Sequence, residues 1–219
     1  MSKTDIQLKD DVEKELHWDP RVNAAHIGVS VTKGAVSLVG AVETYAEKWA
    51  AEDATKRVNG VRAISLDLDV KLRADHVRTD SEIAVAILNA LKWDVLVPKV
   101  VTAEVEQGTV TLQGRVTWNY ERDAAERAIR YLTGVTHIFN TITLQPEAPA
   151  TQVKDKVEAA LRRQATADAQ SIHVETSGSK VTLTGHASSW RSMEEAANAA
   201  WAAPGVTQVV DHVKLSMTD

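Results

Sequence analysis

The chain has 219 residues, 44% hydrophobic and 25% charged, with a net charge of -5, a balance that excludes a long disordered tract. Charge is shared evenly, with 11 basic and 12 acidic groups in residues 1–73, 7 and 8 in 78–145, and 7 and 8 in 151–219, so the concentrated basic face of a nucleic-acid binder is missing. The absence of cysteine removes disulfides, thiolate metal sites and thiol nucleophiles, and no window approaches the ~18 apolar residues of a membrane-spanning helix. The opening Met1 to Asp11 lacks the apolar core of a secretory signal, so the chain reads as cytoplasmic unless a leader was removed before its first residue.

The first predicted element is a helix, because Leu8, Val12 and Leu16 fall on one stripe behind a Thr4-Asp5 cap. Two strands follow: Ile27, Val29 and Val31 alternate with polar residues, Lys33-Gly34 turns the chain, and Val36 and Leu38 lead to Gly40. A second helix presents Ala51 and Ala54, small enough to lie close on a sheet, and ends before Gly60. A strand through Ile64, Leu66, Leu68 and Val70 completes the set.

The same set is then written again. Ile83, Ile87 and Leu91 follow Thr79-Asp80; Val101 to Val105, Gln107-Gly108 and Val110 to Gly114 form a hairpin; Ala125 and Ala128 precede Gly134, and Ile138, Asn140, Ile142 and Leu144 form the last strand. The third copy gives Val153, Val157 and Leu161 near Thr151, a turn at Ser177-Gly178-Ser179 between Ile172 and Gly185, Ala196 and Ala199 before Gly205, and Val209 to Leu215. The links are short, Arg73 to Thr79 and Gln145 to Ala150, the second stiffened by two prolines. A period of about 72 residues is too long for a solenoid unit and suits a small domain repeated. The expected fold class is α+β: three tandem α-β-β-α-β units over 1–73, 78–145 and 151–219. A right-handed crossover would set each last strand parallel to the second, giving mixed three-stranded sheets with two helices on one face.

The segments Val36-Ser37-Leu38-Val39-Gly40, Val110-Thr111-Leu112-Gln113-Gly114 and Val181-Thr182-Leu183-Thr184-Gly185, with Gly134-Val135-Thr136-His137-Ile138-Phe139-Asn140, resemble the BON domain family. Asn140 becomes Asp211 in copy three and Leu66 in copy one, so a role for that side chain is not common to all three. The resemblance implies a bacterial, non-enzymatic protein tied to osmotic or envelope stress, binding phospholipid surfaces or supporting other proteins. Cytoplasmic relatives linked to potassium sensing imply an alternative, a soluble small-ligand or cation sensor.

Site residues are sought against that background. Gly40, Gly60, Gly114, Gly134, Gly185 and Gly205 read as structural, since they leave strands or follow helices. No nucleotide-binding glycine loop, zinc-type histidine spacing or nucleophile-base pair is present, so no catalytic, cofactor or metal residue is assigned. The carboxylate pairs Asp10-Asp11, Asp67 with Asp69 and Glu194-Glu195 read as solvated faces. Tryptophan is over-represented, six against one phenylalanine. Trp18 and Trp93 recur just past the first helix, which points to packing on the unit's own sheet or the next unit ahead of a binding role. Trp49 stands where the other copies have Asp123 and Glu194, Trp201 where they have Lys56 and Arg130, and Tyr131 opposite Arg57 and Ala202. Aromatic residues at charge-tolerant positions cover something, either a neighbouring unit or an external partner. No helix pairs a wide apolar face with an all-basic one, so contact with lipid would rest on exposed aromatics and scattered Lys and Arg.

Overall fold

Thr4 and Thr79 each start a helix by accepting a hydrogen bond from the backbone N–H three residues on, while Gln7 and Glu82 accept from the threonine N–H. These reciprocal caps satisfy donors that the first helical turn leaves open. The computed structural model describes residues 3–145, 153–163 and 171–216. In chain order its elements are α1 (Asp5–Trp18), β1 (Ile27–Thr32), β2 (Ala35–Val42), α2 (Tyr45–Arg57), β3 (Ala63–Val70), α3 (Asp80–Trp93), β4 (Thr102–Glu106), β5 (Thr109–Gln113), β6 (Arg115–Val116), α4 (Asn119–Ile129), β7 (His137–Asn140), β8 (Thr143–Leu144), α5 (Val153–Arg163), β9 (Ile172–Ser177), β10 (Lys180–Ala187), α6 (Trp190–Trp201) and β11 (Gln208–Leu215). The fold is α+β. The cap at Thr151 and the proline-bearing link over 146–150 lie outside the described residues.

In the first repeat β1 pairs antiparallel with β2 from Ile27 opposite Gly40, and β3 pairs parallel with β2 from Ala35 opposite Ala63. The third repeat matches this order, β9 and β11 flanking β10. Lys33-Gly34 and Gln107-Gly108 both have positive φ, the two-residue turn whose twist matches the strands it joins. Asp5 and Asp80, in the first turn of α1 and α3, accept from both N–H groups of these turns, which ties each hairpin to the helix before it.

The middle repeat departs from the uninterrupted last strand expected through Leu144. There β7 pairs with β5, and β8 pairs separately with β6. Asn140 explains the break: its side-chain oxygen accepts from Ile142 N, and its amide donates to Arg122 O on α4. Asp211 makes only the first of these bonds, to Val213 N, and β11 runs on unbroken.

Each sheet buries one face. Val36 and Leu38 are buried on β2, whereas Val39 between them and Gly40 is 48% exposed, the alternation a half-covered strand requires. The core of the first repeat joins Leu8, Val12 and Leu16 of α1 to Ala51 and Ala54 of α2 over that face, and the other two repeats build equivalent cores. Gly60, Gly134 and Gly205 all have positive φ and lie past the ends of α2, α4 and α6.

Candidate functional site

Units of 65 to 70 residues bury little core, and here the second helices supply further burial by meeting one another. Residues 49, 123 and 194 occupy one position of that helix, and residues 56, 130 and 201 another. Trp49 lies under the Arg130 guanidinium at 4.2 Å, with Arg21 of its own repeat at 5.7 Å. Arg122, beside Asp123, lies over Trp201 at 5.1 Å. Glu194 pairs with Lys56 at 3.6 Å. The first repeat thus meets the second and the third meets the first through the same two positions, while the second meets the third through one of them and the neighbour of the other, which closes a cycle. Trp49 and Trp201, placed by the sequence at either an inter-unit or an external contact, sit at junctions.

A further position deepens two of these junctions. Tyr45 packs against the core of the middle repeat, and Trp190 against that of the first, where its indole N–H donates to Val61 O at 2.8 Å. Asn119, the equivalent in α4, is buried, and its Oδ1 accepts no hydrogen bond among the described residues. Tyr45 and Trp190 escaped the sequence reading, although their alignment with Asn119 carries the same signal that singled out Trp49. Trp190→Ala is expected to cost about 3 kcal/mol and Trp190→Phe about 1 kcal/mol, one for the lost volume and the other for the hydrogen bond. Urea midpoints of the two variants check the order.

Trp18 and Trp93 require a correction. They are 82% and 83% exposed, so they pack against neither their own sheet nor the next repeat. The buried stripe of α1 ends at Leu16 and that of α3 at Leu91, and the next two positions turn the indoles outward. Tyr131 is likewise exposed.

The middle repeat exposes further apolar side chains along the helix that carries Trp93 and just beyond it. Val85 and Leu88 are exposed on α3, where α1 carries Asp10 and Glu13 and α5 carries Asp155 and Glu158. Beyond the helix, Val95 is 96% exposed, with Leu96 and Val100 also open. Spacing of three along a helix puts Val85 and Leu88 on one face, and in the first repeat the matching Asp10, Glu13 and Trp18 line one shallow hollow.

The first repeat fills part of this region with charge. Asp19, almost wholly buried, accepts from Arg21 Nε at 2.9 Å and from Arg57 at 2.9 Å, and Arg57 also holds Glu15 and Asp53. In the middle repeat Leu96 and Tyr131 replace the two arginines, and among the described residues the Asp94 carboxylate accepts from Leu96 N alone. The bonds from Arg21 hold the Asp19 carboxyl well below the usual carboxylate range. A lowered pKa stabilises the fold above the unfolded value of about 3.9 and ceases to do so as pH falls through the folded value. Asp19→Asn is therefore expected to cost about 2 kcal/mol at pH 7 and to lose less than the parent on acidification below pH ~4, read from urea midpoints at both pH values.

Among the described residues no group of three or more His, Asp or Glu side chains stands close enough to hold a metal ion. The side-chain oxygens of Asn140 and Asp211 are taken up by backbone N–H groups two residues on, those of Ile142 and Val213. Among the same residues no helix is long and apolar enough to cross a membrane.

The sequence model of the BON domain matches this chain three times, over residues 4–71, 79–146 and 149–217. No curated protein matches it. Among solved structures, the chain is similar to CdsD, a structural protein of the type III secretion system of Chlamydia trachomatis, at 14% identity over 94% of this chain and 91% of that one, with a TM-score of 0.27. A structure of the CdsD C-terminal domain aligns at 14% identity over 98% and 100% of the two chains, TM-score 0.27, and the PrgH periplasmic domain at 11% over 87% and 95%, TM-score 0.24. Superpositions this loose add nothing to the account of the site.

Proposed function

The chain belongs to the BON domain family, with three copies of the domain, and on that premise we propose that it is a non-catalytic binding protein whose middle repeat seats on a phospholipid surface. The observation that carries this reading is the set of exposed apolar side chains Val85, Leu88, Trp93, Val95 and Leu96; the first repeat shares the tryptophan, as Trp18, but both other repeats carry acids where the middle one has Val85 and Leu88. An aromatic ring at the end of a helix, followed by a protruding aliphatic loop, suits the interface between headgroups and acyl chains, where indole rings concentrate. Lys92 and Lys99 bracket the loop and can meet anionic headgroups. The first and third repeats serve as a body that holds this face outward, in keeping with a scaffold role under stress.

The cation-sensor alternative has no ligand cluster among the described residues to support it. Trp49 and Trp201, expected to cover either a neighbouring unit or an external partner, face other repeats, which leaves lipid contact to the middle repeat. Co-sedimentation with vesicles of mixed neutral and anionic phospholipid tests the proposal. Binding that survives physiological salt supports it, because apolar contact is little screened. Protein left in the supernatant at every lipid concentration rejects lipid in favour of a protein partner.

A further inference from the structure

Where the third repeat meets the first, their surfaces leave a cleft of about 490 Å³. Its apolar wall includes Leu8, Val61 and the Trp190 indole, and its volume falls in the range of small-molecule sites. Five cations line it, Lys3, Lys33, Lys56, Arg57 and Arg62, against one carboxylate, Asp5.

Most of these charges are engaged. Asp5 accepts from Lys33 N at 2.7 Å and from Gly34 N at 3.0 Å. Lys3 pairs with Asp11, Lys56 with Glu52 and Glu194, and Arg57 with Glu15, Asp19 and Asp53. The side chains of Lys33 and Arg62, on the hairpin turn and just past α2, form no ion pair among the described residues. The fold does not call for either charge: the middle repeat has Gln107 and Thr136 at these positions, and the third has Gly178 and Thr207.

One acidic group is also missing from the opposite wall. In α2 and α4 the third helical residue is Glu47 or Glu121, whose carboxylate accepts from the backbone just before the helix. In α6, whose start lines the cleft, that residue is Ser192. Two cations without an ion-pair partner among the described residues therefore face a partly apolar recess, beside which a carboxylate found in the other two repeats is absent. Such a recess concentrates anions, and the planar guanidinium of Arg62 matches a phosphate in a two-pronged contact.

We propose that this cleft binds a soluble organic phosphate of nucleotide size, its phosphate held by Lys33 and Arg62 and its flat ring seated against the apolar wall at Trp190. The site lies at a junction of repeats rather than on the middle repeat, so it stands or falls independently of lipid binding.

Calorimetric titration with adenosine 5′-monophosphate, adenosine and inorganic phosphate tests it, using the full chain and the K33A/R62A variant. The monophosphate is expected to bind one per chain, with adenosine and phosphate each about tenfold weaker or more, since either lacks one half of the contact. K33A/R62A is expected to weaken the monophosphate by about tenfold or more with an unchanged melting temperature, both side chains being exposed. Absence of monophosphate binding at millimolar concentration, or equal binding by the variant, would overturn the proposal.

Discussion

Gly40→Ala is expected to destabilise the first repeat by about 4 kcal/mol, enough to unfold a unit of this size. Gly40 has φ of +140°, and a Cβ built there would stand 2.0 Å from the carbonyl oxygen of His26. No side-chain movement relieves that contact, because the oxygen belongs to the backbone immediately before β1. Gly185 is under the same constraint, 2.0 Å from Ser171 O, whereas at Gly114 the nearest atom, Val100 O, is 3.0 Å away. The expected order is therefore Gly40→Ala and Gly185→Ala severe, Gly114→Ala milder, and Gly28→Ala, 3.5 Å from Val39 O, nearly neutral. Thermal unfolding of the four variants checks it. Equal losses at the first three would mean that φ alone sets the cost and that the close approach of the strands adds nothing.

The second large effect concerns binding. V85D/L88E gives α3 the acidic residues that α1 carries at the matching positions, Asp10 and Glu13. Because both positions are exposed and their equivalents already tolerate charge, stability is expected to change by less than about 0.5 kcal/mol. Affinity for vesicles is expected to fall about 30-fold, the equivalent of roughly 2 kcal/mol of lost apolar burial. The reverse exchange in α1, D10V/E13L, is expected to add a second contact face next to Trp18 and raise the affinity. Equal binding by V85D/L88E and the parent would remove α3 from the interface.

Periodicity made the elements legible in the sequence, and the parallel last strand followed from the handedness of its crossover. The break in the middle repeat did not, because it depends on one side chain, Asn140, finding a carbonyl on α4 as well as an amide of its own strand. Alignment of the copies showed that Trp49 and Trp201 cover something. It could not show that residue 49 of one repeat meets residue 130 of the next, since relative placement of units leaves no periodic trace. Trp18 and Trp93 misled for a physical reason: duplication preserves a residue whether or not it is buried. Both are still helical, and two residues past Leu16 and Leu91 is a rotation of about 200°, which carries the indoles to the side away from the buried stripe. The apolar face of the middle repeat was readable in principle, since Val85 and Leu88 stand against acids in both other copies, but a helix with apolar residues all round reads first as a deeply buried one.

Quenching of tryptophan fluorescence by vesicles brominated in the acyl chains tests the central claim most directly, because only an indole that enters the bilayer is reached. The parent and Trp18→Phe are expected to be quenched alike, and Trp93→Phe to lose most of the quenching while still co-sedimenting in part through Val85, Leu88 and Val95. Undiminished quenching in Trp93→Phe would contradict the account, placing the lipid contact on some other face of the three repeats.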